Sequence, residues 1–446
     1  MKWLLMVAIG LSLAQPARAQ MSTPRADFDS AWSAISRTYW DTAFVSGRWR
    51  TVRDSLRGTL GEDADADAVR RAIRALIAVP ELSHFVLLPK SAMQTPSSSD
   101  PMGNTSRRDA DRDARPGTVG IDVRLIGTDV AVWRVEAGSP GAAAGIRSGD
   151  LVTHLDTVPV PTLRRMLRES MPKDSVAADR LVTTLIKARL GGNVGDTLRL
   201  TVTDARGGSR THRLVRTPMT GQLTKFGNLP AMVIQSTSAR ETITTASGTR
   251  RVARIGWSGW FPVLSPTLDT MFFASRDADA IIIDLRGNPG GVIGMLAGVS
   301  GHVLDTMVSL GELKTRSGVM RFAANPRRVD RAGTAYPPFA GPLAILVDEY
   351  SASTSEFFAA GMQALGRARV FGTRSAGMAL PAAAGALPSG DILMHVIADH
   401  ADAKGRRVEG IGVIPEEATP LTLVDLRNGR DAALEAARAW IARGAP

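Results

Sequence analysis

Hydroxyl groups crowd one junction of the sequence, the stretch DEYSASTSEFFAAG at residues 348–361. It follows an apolar run, residues 342–347, that predicts a buried strand, and it precedes a helix predicted over Phe357–Leu365. Ser353 and Glu356 have the S-x-x-E spacing of a helix capping box. The same geometry suits a nucleophile, because a helix start offers free N–H groups and positive potential to a developing oxyanion. This stretch alone leaves both interpretations open.

The N-terminal region is predicted to be helical between residues 24 and 80. Apolar residues recur there at helical spacing, as in Phe28–Ile35 and Ala68–Ile77. The run LSHFVLLP at residues 82–89 predicts a strand that ends at a proline. Residues 92–116 are rich in Pro, Ser and charged residues, which favours a flexible linker.

The first 19 residues predict a secretory signal peptide. They contain a Lys, a short apolar run and the sequence Ala-Arg-Ala before the predicted cleavage point. The apolar run is shorter than a spanning helix needs, so a membrane anchor is the weaker alternative. We therefore expect an exported protein, periplasmic or extracellular. The chain contains no Cys, which excludes disulfides, thiol catalysis and Cys-ligated zinc.

The formal net charge is +11, and it is carried mostly by scattered Arg. No dense basic run with interleaved aromatic residues occurs, which disfavours nucleic-acid binding. Attraction to a membrane surface or to acidic proteins is a weak alternative. The sequence has no H-x-x-x-H motif and no carboxylate pair beside a His, so we expect no metal and no cofactor.

The stretch GSPGAAAGIRSGDLVTHLDTVPV at residues 138–160 resembles the PDZ domains of bacterial proteases. This resemblance implies that Gly120, Ile121 and Asp122 form a loop whose N–H groups hold a peptide carboxylate. The peptide would then pair with the adjacent strand as an added strand. A Gly-rich hairpin without a ligand is the alternative.

Two motifs together resemble the carboxy-terminal processing (tail-specific) protease family of serine peptidases. They are IIIDLRGNPGG at residues 281–291 and LVDEYSASTSEFFAAGMQALGRARVFG at residues 346–372. The family also includes the tricorn core protease and the retinoid-binding-protein repeats. The resemblance implies that Ser353 is the nucleophile and that the Thr354 N–H is one oxyanion donor. A glycine of the first motif would be the other donor, with Gly290 and Gly291 both open.

One position departs from the family pattern. Processing proteases of this family commonly use a Ser–Lys dyad, and Met378 stands at the Lys position. A thioether cannot take up a proton at neutral pH, so the base must come from elsewhere or the protein is inactive.

The tricorn-like branch of the family offers another base. ELSHFVLLP at residues 81–89 resembles that branch's strand and implies Ser83 and His84 as catalytic residues. VEGIGVIPE at residues 408–416 resembles its acidic turn and implies Glu409. His84 would deprotonate the nucleophile, while Glu409 and Ser83 orient the imidazole or the water. A structural His at a strand edge is the alternative, and the five other His are interpreted as structural or exposed.

The resemblance implies an α/β fold with a crotonase/Clp-protease-like ββα core, an N-terminal helical segment and an inserted PDZ-like β-rich domain. The predicted boundaries are 1–19 for the signal peptide, 20–91 for the helical segment, 92–116 for the linker, 117–217 for the PDZ-like domain and 218–446 for the peptidase core.

The leading functional hypothesis is an exported serine endopeptidase that engages proteins or peptides through free C-termini. A catalytically silent relative that binds polypeptides is the second hypothesis, and Met378 is its main support. A small-molecule hydrolase or lipophilic-ligand binder on the same fold is the third, since a fold alone does not fix function.

Overall fold

The computed structural model describes residues 24–61, 63–90, 115–171, 175–225, 231–246, 248–330 and 332–445. The predicted signal peptide and most of the predicted linker, residues 92–114, lie outside these ranges. None of the helices in the described part of the chain has the length and apolar content that a membrane crossing needs.

The N-terminal region forms helices around one buried tryptophan. The helices are α1 (Pro24–Thr38), α2 (Thr42–Phe44), a π-helical turn (Val45–Trp49), α3 (Arg50–Thr59) and α4 (Ala66–Ile77). Trp49 is fully buried among them and its Nε1 donates to the Leu76 carbonyl at 2.8 Å. The helical prediction for Phe28–Ile35 and Ala68–Ile77 is confirmed.

The strand predicted over residues 82–89 is wrong in its first half. Strand β1 spans only Val86–Leu88, and Ser83 and His84 lie in a turn before it. His84 has a φ of +62°, which no β-strand residue adopts. The chain therefore bends sharply at His84 before it enters the strand.

The β-rich unit is built on a sheet whose strands follow the order β3-β4-β5-β8-β9, with β6 paired to β5. Strand β3 therefore lies at the edge of this sheet. A core of aliphatic side chains, among them Val123, Val132, Ile186 and Leu198, fills the unit. Its elements are β2 (Pro116–Thr118), β3 (Ile121–Ile126), β4 (Asp129–Val135), α5 (Pro140–Ala143), β5 (Leu151–Leu155), β6 (Val158–Pro159), α6 (Val160–Ser170), α7 (Ser175–Leu190), β7 (Gly191–Asn193), β8 (Thr197–Thr203), β9 (Ser209–Val215) and β10 (Thr217–Pro218).

A second six-stranded sheet forms the centre of the C-terminal half. Its order is β13-β14-β15-β18-β19-β23, antiparallel at β13–β14 and parallel elsewhere. The strands are β13 (Ser236–Thr245), β14 (Gly248–Trp257), β15 (Ala280–Asp284), β18 (Leu343–Val347), β19 (Arg369–Gly372) and β23 (Glu417–Ala418).

Helices cover both faces of this central sheet. On one face, Ile281 and Ile283 pack in the core that holds α8 (Ser265–Ala274), α9 (Met295–Ser300) and α10 (Thr354–Ala364). On the other face, Ala280 and Ile282 pack against α12 (Ala432–Ala442), which follows the short α11 (Leu423–Arg427). Burial of both faces explains why the parallel strands are continuous apolar runs.

Three smaller sheets complete the core region. They pair β11 (Gln222–Thr224) with β12 (Met232–Ile234), join β17 (Gly318–Ala323), β16 (Ser309–Thr315) and β22 (Ala398–Asp402), and join β1, β21 (Ile392–Val396) and β20 (Ala382–Ala386). A 3₁₀-helix spans Pro262–Leu264.

The last of these sheets docks the N-terminal helices on the core. Strand β1 pairs antiparallel with β21. Beside it, Arg70 of α4 binds both carboxylate oxygens of Asp391, with its Nε at 2.7 Å. The turn that carries His84 is thereby fixed to the C-terminal half of the chain.

The two junctions that carry the sequence motifs meet at the C-terminal ends of neighbouring strands of the central sheet. Strands β15 and β18 are parallel neighbours, with Ile283 opposite Ile345. Their C-terminal ends therefore lie side by side, and the turns that follow them are adjacent. Ligand and active sites of open α/β sheets lie in this position.

Candidate active site

Ser353 occupies a strained position between β18 and α10. Its φ and ψ are +54° and −120°, a conformation that residues other than Gly avoid at a cost of about 1–3 kcal/mol. Its N–H donates to the Met378 carbonyl at 2.8 Å and to Glu356 Oε2 at 3.1 Å. Strain of this kind persists only where the surroundings fix it, and it concentrates at functional sites.

The glycine turn after β15 touches Ser353 directly. A Cβ on Gly290 would lie 2.7 Å from the Ser353 Cβ and 3.0 Å from the Thr354 nitrogen, so only glycine fits there. The Thr354 hydroxyl donates to the Gly291 carbonyl at 2.9 Å. The structure therefore brings the predicted oxyanion residues against the predicted nucleophile. The Gly290 N–H already donates to Asn288 Oδ1 at 3.0 Å.

Ser83, His84 and Glu409 form one hydrogen-bonded chain. The Ser83 hydroxyl lies 2.7 Å from His84 Nδ1 and donates to Glu409 Oε2 at 2.9 Å. The Ser83 N–H also donates to Glu409 Oε1 at 2.8 Å. Ser83 and Glu409 are 326 residues apart in the sequence, so the tertiary fold alone assembles this chain.

One turn, residues 375–380, connects this chain to the nucleophile. Glu409 Oε2 accepts a hydrogen bond from the Ala379 N–H at 2.7 Å. The preceding residue, Met378, accepts the Ser353 N–H through its carbonyl. The four predicted catalytic residues thus gather around adjacent peptide groups of one turn, and their catalytic roles remain predictions.

The ionisation of two groups near this turn departs from the ordinary values. Burial lowers the pKa of the His84 imidazole to about 4, so this ring is neutral at pH 7. Burial raises the pKa of the Glu356 carboxyl to about 7, although hydrogen bonds from Ser375, Gly377, Ser353 and Met378 oppose the rise.

The sequence predicted only part of the role of Glu356 and no role for Ser375. Glu356 was predicted as a helix-capping residue, yet its carboxylate also binds the 375–378 segment. Ser375 carried no motif, and its hydroxyl donates to Glu356 Oε1 at 2.6 Å. The one available signal was an acidic residue directly before the helix predicted over Phe357–Leu365.

Three other histidines have contacts outside this turn. His302 bonds Asp269 at 2.9 Å, His395 bonds the Thr38 hydroxyl at 3.0 Å, and His400 packs 4.0 Å from the Phe357 ring. These three rings are buried, whereas His154 is exposed. Within the ranges that the structure describes, no group of three or more His, Asp or Glu side chains could hold a metal ion.

A cleft of about 930 Å³ lies beside the predicted peptide-binding loop. Gly120, Ile121 and Asp122 line it together with Lys187 and Leu190 of α7 and with residues 219–222 and 234–237. Gly120 has a φ of +69°, and its N–H already donates to the Thr118 hydroxyl at 2.9 Å.

Asp122 is tied by ion pairs at the mouth of this cleft. Its carboxylate binds Arg124 at 3.0 Å and Lys187 at 3.1 Å. Arg124 is buried and also binds Asp348, the residue that follows β18. Arg124 therefore links the β-rich unit to the nucleophile junction.

Comparison with known proteins connects this geometry to a family. Residues 267–419 match peptidase family S41. A chloroplastic C-terminal processing peptidase of Tetradesmus obliquus is 24% identical over 413 residues, which are 90% of this chain and 78% of that protein. A carboxyl-terminal-processing protease of a Picosynechococcus species is 26% identical over 147 residues.

A tricorn protease homologue of Streptomyces coelicolor is 26% identical over 93% of this chain. The matched part covers only 32% of that homologue and 33% of the Picosynechococcus protease, about a third of each length.

Solved structures show the fold independently. A photosystem II D1 C-terminal processing protease superposes with a TM-score of 0.58, at 18% identity over 95% of this chain and 99% of that one. Mature CPAF superposes with the same TM-score at 13% identity. The predicted α/β fold class is therefore confirmed, while the PDZ assignment of the β-rich unit remains a prediction. Residues 267–419 match the model of peptidase family S41, and the chain is similar to carboxyl-terminal processing proteases.

Proposed function

We propose that this chain is a serine endopeptidase with Ser353 as nucleophile and His84 as general base. The observation that carries the proposal is the Ser83 hydroxyl, which bonds His84 Nδ1 and also Glu409, a residue 326 positions from Ser83 in the sequence. A third group that orients the base is the feature shared by serine-peptidase triads on unrelated folds. Met378 then needs no proton chemistry of its own.

The hydrogen-bond pattern selects one tautomer of His84. Ser83 has a single hydroxyl proton, and it donates this proton to Glu409 Oε2. His84 Nδ1 must therefore carry a proton and donate it to the Ser83 oxygen. The lone pair of His84 Nε2 remains free to accept the Ser353 proton, and Glu409 stabilises the imidazolium that forms.

Acylation follows from these roles. Ser353 Oγ attacks the carbonyl carbon of the scissile peptide while its proton passes to His84 Nε2. The C=O electron pair moves to oxygen, and backbone N–H groups stabilise the oxyanion. When the tetrahedral species collapses, the C–N bond breaks and His84 protonates the leaving amine. In deacylation, water gives a proton to His84, attacks the ester carbon and releases Ser353 with its proton restored.

We assign the oxyanion donors to Thr354 and Gly291. The helix start at Thr354 leaves its N–H without a partner inside the helix. Between the two glycines, Gly291 is favoured because the Gly290 N–H is engaged by Asn288 Oδ1. Each such donor contributes roughly 10²–10³ in rate in serine peptidases.

The substrate would be a protein or peptide whose C-terminus binds the β-rich unit. Strand β3 is a sheet edge, and it lines the cleft together with α7, so an extended peptide could add beside it. We propose that the protein acts after export, because residues 1–19 have a signal-peptide pattern. The alternative is a protein that binds polypeptides without cleaving them, and Met378 at the usual Lys position supports it.

A fluorophosphonate probe and the variant Ser353→Ala test the proposal. The wild type should label once and cleave a casein-like substrate, and Ser353→Ala should do neither. The variant should remain folded, with a loss of about 1 kcal/mol in stability from the altered helix start.

Ser170→Ala, a change of an exposed serine, is the matched control and should label like the wild type. Labelling of Ser353→Ala at the wild-type rate would show that another residue is the nucleophile. An unlabelled, inactive wild type would favour the binding-only alternative.

A further inference from the structure

Glu356 is a fully buried carboxylate in the first turn of α10. It accepts hydrogen bonds from Ser353 N at 3.1 Å, Ser375 Oγ at 2.6 Å, Gly377 N at 2.7 Å and Met378 N at 2.9 Å. Only the first of these belongs to a capping box. The other three come from a separate segment, so capping does not account for this side chain.

Two carboxylates hold three consecutive peptide N–H groups of that segment. Glu356 takes those of Gly377 and Met378, and Glu409 takes that of Ala379. Glu356 belongs to the helix that follows the nucleophile, whereas Glu409 is hydrogen-bonded to Ser83, which in turn contacts His84. The segment 377–379 therefore contacts both the nucleophile helix, through Glu356, and the group that contains His84, through Glu409.

The strained Ser353 backbone depends on the same contacts. Its N–H is held by Met378 O and by Glu356 Oε2, and both of these acceptors are bound to the segment 377–379 or are part of it. A conformation that costs about 1–3 kcal/mol relaxes when the contacts that impose it are removed. Loss of the Glu356 carboxylate would free the Ser353 backbone and the segment together.

We infer that Glu356 is a positioning residue, which holds the Ser353 backbone and the segment 377–379 in one arrangement and so fixes the nucleophile relative to His84. This inference rests on the proposed function. Glu356 acts through backbone groups and has no contact with the substrate in this scheme.

The charge of Glu356 matters to this role. An ionised carboxylate accepts all four hydrogen bonds, whereas the protonated form presents one donor to a site built from donors. Burial places the pKa of Glu356 at about 7, so the number of hydrogen bonds that its carboxyl group accepts should fall as pH falls below neutrality. A helix cap alone would give no such dependence of turnover on pH.

The variant Glu356→Gln tests the inference in the full-length protein. We expect kcat to fall about 10²-fold with KM nearly unchanged, as for a displacement of the catalytic groups. Fluorophosphonate labelling should slow by the same factor, and the step of kcat near pH 7 should disappear. Glu435→Gln, the same change in the first turn of α12, is the matched control and should behave like the wild type.

Amide hydrogen exchange gives a readout that does not require activity. In Glu356→Gln at least one of the Gly377 and Met378 amides should exchange about tenfold faster than in the wild type, because they bind different carboxylate oxygens and glutamine keeps only one of these acceptors. In Ser353→Ala, which keeps Glu356, they should exchange at the wild-type rate.

The outcomes separate this inference from the proposed function. Suppose that Glu356→Gln labels, cleaves and exchanges like the wild type and differs only in a lower melting temperature. Glu356 would then be a helix cap alone, and the inference would be overturned. If the wild type neither labels nor cleaves, the proposed function fails while the exchange comparison still decides the role of Glu356. If Glu356→Gln does not fold, Ser375→Ala removes one donor and keeps the carboxylate, and unchanged labelling in that variant would overturn the inference.

Discussion

At the scale of single residues, His84 combines backbone strain with a suppressed charge. Its φ is +62°, and burial lowers the pKa of its imidazole to about 4. Among the residues that the structure describes, only four non-glycine residues have a positive φ, and His84 and Ser353 are two of them. Such strain at both members of a proposed dyad favours a functional origin.

His84→Ala should lower kcat/KM by roughly 10²–10⁴-fold, as loss of a general base does. His154→Ala is the control, because His154 is exposed and has no part in the site. His395 and His400 do not suit this purpose, since both are buried and their removal would alter packing. The measurement is cleavage of a fluorogenic peptide at pH 8, and near wild-type cleavage by His84→Ala would reject the assignment.

The pH profile of the wild type should show the His84 titration near 4 rather than near the ordinary imidazole value of about 6.5. Because the folded pKa is lowered, the ring stays neutral and basic through weakly acidic pH. An inflection near 6.5 that survives in Glu356→Gln would show that His84 titrates normally and would contradict this expectation.

Met378→Lys should not raise activity. The Met378 backbone is already used, with its N–H on Glu356 Oε2 and its carbonyl on Ser353 N. A Lys at this half-buried position would add a cation that must be desolvated, close to a site whose proposed base is neutral His84. Initial rates of wild type and variant, compared from pH 6 to 10, check this, and a clear gain in the variant would revive the Ser–Lys mechanism.

At the scale of elements, the edge strand β3 and helix α7 form the predicted peptide groove. A peptide with a free apolar C-terminus should bind there more tightly than its amidated form, because amidation removes the charge that the loop N–H groups would hold. Calorimetry on both peptides measures the difference. Equal affinities would mean that this unit does not recognise chain ends.

In the β1 region the strand was predicted correctly, but the conformation of Ser83 and His84, which precede it, was not. Apolar residues of LSHFVLLP correctly indicate a strand, which the structure limits to Val86–Leu88. Ser83 and His84 instead turn towards Glu409, and the hydrogen bonds of Ser83 to that carboxylate stabilise the turn. No local pattern encodes a partner 326 residues away.

At the scale of the whole molecule, three histidines with lowered pKa values make the fold sensitive to acid. Burial lowers the pKa values of His84, His395 and His400 to about 4. A group with a lowered folded pKa contributes stability above its unfolded value, and this contribution is lost as pH falls through the folded value. Each histidine accounts for at most about 3 kcal/mol between pH 6.5 and 4. Glu356, with its raised pKa, acts in the opposite sense, since its contribution is lost as pH rises towards 7.

We therefore expect the free energy of unfolding to rise with pH between about 4 and 6.5, as measured by urea denaturation. His400→Phe should flatten this dependence, because His400 already packs between Phe357 and Phe322 and its ring nitrogens have no hydrogen-bond partner. Stability that is constant over this pH range in the wild type would contradict the prediction.

The sequence by itself determined the features that local physics encodes. Apolar patterning predicted the N-terminal helices and the buried strand over residues 342–347. Resemblance to known motifs placed Ser353, His84, Ser83 and Glu409 in one hypothesis, and the structure brings these residues around a single turn.

Only the tertiary structure decided what holds that turn. Glu356 was recognisable as a cap because capping is a matter of spacing along one helix. Its bonds to Ser375, Gly377 and Met378 depend on which segment packs beside α10, and its raised pKa depends on burial by residues distant in sequence. The bend at His84 and the strain at Ser353 have the same origin, because unfavourable backbone angles persist only where contacts from elsewhere in the fold impose them.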